Sequence, residues 1–437
     1  MKASLVLNKS HISHFFYGIL LFASLFMFFY PEQYVFMPFS TIRITQILGI
    51  LVCLSLAAKA RIHWSVGKII SYGFIIFIIG FIASKVFASN GDLEVAKRGV
   101  LMCFHLFSSL FIAFCLKKTV GGYSFYSLLE WMIYITIFQA IISFIFYLVP
   151  SIYETYKSFI ILDDFNDSMT EMASLYRLMS VGALRYATAA SQYGLILWAL
   201  ILLHENKVGF WGRHELLYSL VVALFCIAGV LSGRVFFVMI PVTFLYIFVL
   251  KKYKLGITIK TSVKTFLPVI IIAVAAFVYL FAENEALIEW VFELFINFGD
   301  SGTMESASTN QLKEMYVFPD NIKTWIIGDG LSVSADGGFY MGTDVGYIRS
   351  LFYWGIIGTT VYYLIQYLCY RNIVKLGIDD NAKTYILFIL IWLLIYSFKD
   401  FYNIDKLLVL FTVVLSLNRK GKKYSRPHEI LDSNTSL

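Results

Sequence analysis

The chain has 437 residues, of which 59% are hydrophobic, 18% are aromatic and only 14% are charged. An ordinary soluble domain carries about 25% charged residues, so this composition and a mean hydropathy of +0.75 exclude a soluble enzyme and predict an all-α, multi-spanning membrane protein. The net charge of +7 would suit a nucleic-acid-binding protein only if the basic residues were gathered on one surface.

Apolar runs bounded by charged or turn-forming residues predict twelve membrane-spanning helices. In chain order the predicted spans lie near residues 15–30, 44–58, 69–88, 99–116, 128–149, 187–203, 216–231, 235–250, 265–282, 345–369, 384–398 and 401–417. The sequence shows no internal repeat and no soluble insertion of domain size. Residues 1–437 are therefore expected to form a single membrane domain.

The segments between these spans differ in charge. If the N-terminus is cytoplasmic, the inner side carries 22 of the 35 Lys and Arg residues but only seven of the 28 acidic residues, counting Glu130 at the inner end of the fifth span. Short inner loops rich in Lys and Arg are typical of the positive-inside pattern. The pattern predicts that both termini are cytoplasmic, and it explains the basic excess without a nucleic-acid partner.

Two predicted outer loops are long, residues 150–188 and 283–344. The second loop opens with residues 283–298, in which glutamates recur every four residues among large apolar side chains. That spacing predicts an amphipathic helix at the outer membrane surface. It could serve as a lid over a lipid-bordered site or pack across the helix bundle. A Gly- and Ser-rich stretch from Gly299 to Asn310 follows as a candidate hinge.

Arginine is retained on the predicted outer side, which holds six of the 11 Arg but only seven of the 24 Lys. The positive-inside bias depletes both residue types there, so retained Arg indicates bidentate recognition of phosphate or carboxylate. Arg185 precedes a span, Arg234 follows one and Arg349 lies about one turn into one. Each could alone snorkel or pair with a structural acid. Together they favour an anion site, and a pyrophosphate-linked lipid would fit it.

A carboxylate is the expected proton acceptor on this face, because no His lies in the predicted outer loops. Asp329, Asp336 and Asp344 lie where the second long loop returns to the membrane. Asp344 is the leading candidate because it precedes the span that contains Arg349. It would equally suit the N-cap of that helix. All five Cys fall within or at the ends of predicted spans, so no metal site and no cofactor are expected.

Three sequence segments contain motifs that bear on the family of the chain. The main motif combines Ile326-Ile327-Gly328-Asp329-Gly330 with Gly337-Gly338 and the stretch from Thr343 to Gly358. This motif resembles that of the O-antigen and capsule repeat-unit polymerases of the Wzy type. Ser232-Gly233-Arg234 is similar to the Ser-x-Arg element of that superfamily. Leu184-Arg185-Tyr186 is similar to its other Arg-containing segment, although the usual Asn-Pro-Asn-like turn is absent.

This resemblance implies a GT-C-like, metal-independent glycosyltransferase in the bacterial inner membrane, with a periplasmic active site. Its substrates would be undecaprenyl-pyrophosphate-linked oligosaccharides, and its partners would include membrane lipid, a chain-length regulator and a flippase. The implied catalytic residues are Asp344, Arg234 and Arg349. The implied residues for pyrophosphate or sugar are Arg185, Arg177, Tyr347 and Asp336, with Phe339 and Tyr340 along the sugar path.

Three alternative functions fit the sequence less well than a polymerase. An O-antigen ligase generally carries a functional His in its long outer loop, and none is present here. A lipid-linked oligosaccharide flippase or another transporter should show charges in the middle of its spans and paired repeats. A structural membrane scaffold would leave the outer arginines unexplained. The polymerase is therefore the expected function.

Overall fold

The computed structural model describes residues 9–57, 64–88, 91–161, 177–182, 186–281, 292–293, 296–300, 302, 306–335, 337–401 and 404–418. Over these ranges the fold is all-helical and contains no β-strand, only two isolated β-bridges. Arg185 and Asp336 lie outside the described residues, as do most residues of the predicted amphipathic segment. The coarse prediction of an all-α chain is confirmed.

Each of the twelve predicted spans overlaps a helix, although the ends of several helices differ from the predicted bounds. These helices are α1 (Lys9–Phe29), α2 (Ile42–Ala57), α3 (Trp64–Phe81, continued by a π-helical turn, Ile82–Phe87), α4 (Lys97–Val120), α5 (Phe125–Leu148), α7 (Tyr186–Glu205), α8 (Glu215–Ser232), α9 (Val235–Leu250), α10 (Leu255–Phe281), α13 (Gly346–Val374), α14 (Asp380–Tyr396) and α15 (Asp405–Asn418). Among the described residues, shorter helices between them include α6 (Pro150–Lys157), α11 (Ala307–Glu314) and α12 (Ile322–Ile327).

Within the described ranges, six helices are long and apolar enough to cross a membrane: Trp64–Phe87, Lys97–Val120, Phe125–Leu148, Tyr186–Glu205, Glu215–Ser232 and Leu255–Ile272. Helices α1, α2 and α9 contribute shorter apolar stretches. Helix α13 has 29 residues, but Arg349 and many tyrosines lower its hydropathy, and α14 and α15 have only 17 and 14 residues. The structure thus shows a helical membrane protein with six helices of spanning length.

The connections between helices gather at two ends of the bundle. At one end, which we call the long-loop end, Ile161 N donates to Gln33 O over 2.8 Å and Asp92 N donates to Gly330 O over 3.0 Å. At the other, the short-loop end, the Tyr126 hydroxyl donates to Asp379 over 2.6 Å. The segments predicted to share the outer face therefore contact one another in the structure.

Helix packing relies on small residues at the closest approaches. Helix α4 packs against α1, α2, α3 and α15, and helix α7 packs against α5, α8, α9 and α14. Where α3 crosses α4, a Cβ on Gly73 would lie 2.5 Å from Gly99 O, and one on Gly99 would lie 2.2 Å from Gly73 O. Such close contacts replace the hydrophobic driving force that helices lack inside lipid.

The main sequence motif binds the second long loop to α13 through backbone hydrogen bonds. Helix α13 is interrupted at Trp354 and Gly355, and Gly355 has a φ of 63°. The interruption frees the carbonyls of Phe352 and Tyr353, which accept hydrogen bonds from Asp329 N (2.6 Å) and Gly330 N (2.9 Å). A Cβ on Gly355 would lie 2.2 Å from the backbone of Ile326. Gly355 is therefore required for this close approach.

Candidate functional site

The predicted site residues that the structure describes fall into two groups at the long-loop end. The first group contains Arg177 and Arg234, and we call it the arginine pair. The second group contains Arg349 with Asp344, and we call it the Arg349 cluster. Tyr347 contacts neither set of charges directly but packs beside the second.

Arg177 and Arg234 are brought together by the chain on either side of them. Leu178 N donates to Leu231 O over 3.0 Å, which ties the segment 177–182 to the end of α8. The Arg177 guanidinium carbon lies 5.0 Å from the centre of the Tyr186 ring. Burial, and then the nearby Arg234 cation, lower the pKa of Arg177. The charge of Arg234 thus acts on Arg177, whose segment is bound to the end of α8.

The predicted amphipathic segment reaches the arginine pair. Arg234 Nη2 lies 2.6 Å from a Glu293 carboxylate oxygen, and the Glu293 side chain is 26% exposed. Residues 292–293 and 296–300 of this segment are helical. The ion pair places Glu293 against Arg234, as expected both for a lid and for a helix packed across the bundle.

Polar groups accompany the arginine pair below the surface. Ser232, two residues before Arg234, and Gln192, on α7, each have a buried polar atom that lacks a hydrogen-bond partner among the described residues. Gln139 on α5 donates to the Ser180 hydroxyl over 2.6 Å. Buried polar groups normally have partners, so this region is suited to hold water or a polar ligand.

Arg349 occupies the centre of the second group. Its Nη1 lies 3.5 Å from Asp400 Oδ1 and 3.9 Å from Asp344 Oδ1. Its guanidinium carbon lies 4.0 Å from the centre of the Phe339 ring, in a cation–π contact. Among the described contacts of Arg349, two carboxylates and one aromatic face hold its cation.

The expectation that Asp344 is the N-cap residue of its helix is wrong. Helix α13 begins at Gly346, its N-cap residue is Val345, and Val345 makes no side-chain cap hydrogen bond. Thr343 organises the turn instead, because its hydroxyl accepts from Val345 N over 3.3 Å and donates to Met315 O over 2.7 Å. Asp344 is thus one residue too early for the cap, and its carboxylate lies near Arg349.

Tyr347 and Asp329 are used in packing. The Tyr347 hydroxyl donates to Leu394 O over 2.8 Å, and its ring lies edge-on to Phe398 at 4.9 Å. The Asp329 carboxylate accepts from Thr324 and from the Tyr340 hydroxyl. Burial, and then the charge of Asp329, raise the pKa of Tyr340. These contacts hold the returning loop and the start of α13 in place.

Sequence reasoning missed Asp400 and the role of Arg98. The Arg98 guanidinium carbon lies 3.7 Å from the centre of the Phe401 ring, and the electrostatic partners of Arg98 include Asp400 and Asp405. A signal was present: Lys399, Asp400, Asp405 and Lys406 crowd the short connection between two apolar runs. Charges retained at such a boundary indicate buried pairs.

No family model, no curated protein and no solved structure matches the chain. Among the residues with described coordinates, no group of three or more His, Cys, Asp or Glu side chains is placed to hold a metal ion. The two groups of charged residues are therefore the features of the structure that bear on function.

Proposed function

We propose that the chain is a membrane glycosyltransferase that polymerises undecaprenyl-pyrophosphate-linked oligosaccharide units into O-antigen or capsule polysaccharide. In this proposal it has a GT-C-like architecture with twelve spans, and its long-loop end faces the periplasm of a bacterial inner membrane. The observation that carries the proposal is that the chain segments of Arg177 and Arg234 meet at one end of an apolar helix bundle, where Leu178 N donates to Leu231 O over 3.0 Å.

Two arginines on neighbouring chain segments suit a pyrophosphate. Each guanidinium presents N–H donors in a planar fork that matches two phosphate oxygens. Glu293 is partly exposed, so a pyrophosphate could displace its carboxylate from Arg234 without opening the core.

An apolar groove lies near the arginine pair and suits the lipid part of the same substrate. The groove has a volume of about 450 Å³ and is lined by Phe146, Ser151, Ile152, Thr155, Tyr156 and Phe159. Phe146 also belongs to a small apolar cluster with Met179, against which Tyr186 packs. Tyr186 is the ring beneath Arg177. A lipid with its pyrophosphate on the arginines would find apolar surface on the far side of this cluster.

The Arg349 cluster provides the groups for the chemical step. A sugar hydroxyl of the acceptor attacks the anomeric carbon of the donor, the bond from that carbon to the pyrophosphate oxygen breaks, and undecaprenyl pyrophosphate leaves with the electron pair. Asp344 accepts the hydroxyl proton. Arg349, 3.9 Å from Asp344, stabilises the negative charge that develops on the leaving group.

The test is the surface-glycan pattern of a clean deletion strain, on a gel that resolves single repeat units, beside a complemented strain. A polymerase predicts loss of the ladder with survival of a band one repeat longer than the core, because flipping and ligation still operate. Loss of every repeat-bearing band would contradict the proposal and favour a ligase or a flippase. Accumulation of long lipid-linked polymer would then single out the ligase.

A further inference from the structure

Two basic residues lie at the beginnings of α2 and α15, at the long-loop end of the bundle. Arg43 is the second residue of α2, and Lys406 is the second residue of α15. The positive end of a helix dipole lies at the N-terminus, so a cation in the first turn is disfavoured there. Positive-inside bias also disfavours Lys and Arg on the predicted outer side. Both helices thus begin with a charge that their own electrostatics oppose.

The described contacts of these two cations go to groups without a negative charge. The Arg43 guanidinium donates to Gln46 Oε1 over 2.7 Å and lies 5.3 Å from the centre of the Phe104 ring. Lys406 Nζ donates to Phe28 O over 3.3 Å. In membrane proteins a cation at such a depth normally pairs with an acid or faces water. Both cations therefore suit an anion from outside the protein.

The acidic residues nearest to these cations along the chain contact other groups. Asp405 precedes Lys406, and its carboxylate accepts a hydrogen bond from Gln366. Glu32 lies in the connection before α2, and its carboxylate accepts from the Tyr156 hydroxyl. Within the described ranges, neither carboxylate forms an ion pair with the cation that begins α2 or α15. These acids thus do not supply the counter-charge.

Two buried polar side chains, on α2 and α4, accompany the cations. Gln46 and His105 are 3% and 4% exposed, and Gln46 Nε2 and His105 Nδ1 have no hydrogen-bond partner among the described residues. The charges of Lys406 and Arg43 both act on His105. The His105 ring lies edge-on to the Phe28 ring at 5.8 Å. Because buried polar groups normally have partners, these two side chains indicate a polar ligand beside the cations.

We propose that Arg43, Lys406, Gln46 and His105 form a binding site for a phosphate group. Arg43 presents a planar fork, Lys406 a point charge and Gln46 an amide donor, and the oxygens of one phosphate could accept from all three. The phosphate would also neutralise the charges that the positive ends of α2 and α15 oppose. It is either free phosphate or the headgroup of an anionic phospholipid, since both present the same oxygens.

This phosphate site is built on α2, α4 and α15 and uses no residue of the arginine pair or the Arg349 cluster. Helix α4 packs against both α2 and α15, so one helix joins the parts of the site. The inference goes beyond the proposed glycosyl transfer and does not rest on it.

The test is isothermal titration calorimetry on the purified full-length protein in a nonionic detergent. The probes are inorganic phosphate and a short-chain phosphatidylglycerol, with a short-chain phosphatidylcholine as the zwitterionic control. We expect saturable binding of an anionic probe and at least about tenfold weaker binding of phosphatidylcholine. Binding of inorganic phosphate would identify a site for free phosphate, whereas binding of phosphatidylglycerol alone would identify a lipid headgroup site.

Two variants assign this binding to the proposed residues. Lys406→Met and Arg43→Gln each remove one charge and keep most of the length of the side chain. Each should weaken binding of the anionic probe by about tenfold to a hundredfold, because each loses a hydrogen bond to a charged group. Lys399→Met removes a lysine from the same end of the bundle and should leave the affinity within about twofold. If one variant does not accumulate, the other carries the test.

The arginine pair could bind the same probes, so Arg234→Lys separates the two sites. Binding at the phosphate site should persist in Arg234→Lys. The inference would be overturned by a wild-type protein that binds neither anionic probe, or by equal affinities in Lys406→Met and Lys399→Met. Binding that Arg234→Lys abolishes and Lys406→Met preserves would overturn it too. The deletion strain tests glycosyl transfer separately, so the two failures are distinguishable.

Discussion

The arginine pair and the Arg349 cluster differ in the charged contacts that the structure describes. In the part of the chain that the structure describes, the first contains two arginines beside Glu293, and the second contains Arg349 between Asp344 and Asp400. Arginine side chains suit an anionic group of a substrate, whereas a carboxylate suits proton acceptance. In the proposed function, the arginine pair would bind the donor and the Arg349 cluster would serve the chemical step.

The largest effect is expected from Asp344→Asn, which removes the proposed base and keeps the shape of the side chain. General-base catalysis contributes about 10²–10⁴-fold, so the polymerisation rate should fall by about that factor while lipid-pyrophosphate binding persists. The measurement pairs the rate with binding of a sugar-free polyprenyl pyrophosphate to purified protein. Equal losses of rate and binding would contradict separate roles for the arginine pair and the Arg349 cluster.

Arg234→Lys tests the proposed role of the arginine pair. The charge remains, but the planar fork is lost, and hydrogen bonds to charged groups are worth about 1.5–3 kcal/mol each. We expect affinity for the lipid pyrophosphate to fall by about tenfold to a hundredfold, with shorter polymer in cells. Arg213→Lys, an exposed position at the short-loop end, is the matched control. Normal binding by the Arg234 variant at normal protein level would remove the case for specific pyrophosphate recognition.

The sequence predicted the helices and the arginines of these two groups, but it did not predict every residue that contacts them. Apolar runs determine where helices form, so each predicted span falls on a helix. The outer arginines were found because positive-inside bias makes retained Arg conspicuous. Asp400 was not found from the sequence, because its place beside Arg349 depends on a close approach between its turn, residues 397–401, and Gly346. That approach brings together residues 54 positions apart. The N-cap expectation for Asp344 failed because the start of α13 is set by a tertiary contact, from Thr343 to Met315.

A smaller effect is expected at Glu293, which contributes a negative charge to the arginine pair. Glu293→Gln keeps the side chain nearly isosteric and removes its competition with a bound anion. Affinity for polyprenyl pyrophosphate should therefore rise by about twofold to fivefold, in line with the modest energies of partly exposed ion pairs. The dependence of that affinity on salt concentration should steepen. Weaker binding in this variant would mean that Glu293 orients Arg234, so the negative charge would belong to the site.

The smallest effect on activity is expected for Tyr347→Phe, which decides between packing and sugar binding. The structure gives the hydroxyl a backbone acceptor, Leu394 O, and places the ring against Phe398 and Tyr363. Loss of this hydrogen bond should lower the free energy of unfolding by about 1 kcal/mol, visible as a lower melting temperature in detergent. The rate and KM for the acceptor should stay within about twofold of wild type, because Phe preserves the ring contacts. A sugar-binding hydroxyl would show the reverse pattern, with unchanged melting and an acceptor KM raised about tenfold. That outcome would extend the Arg349 cluster along α13 toward α14, and the acceptor path would then run beside the turn that holds Asp400.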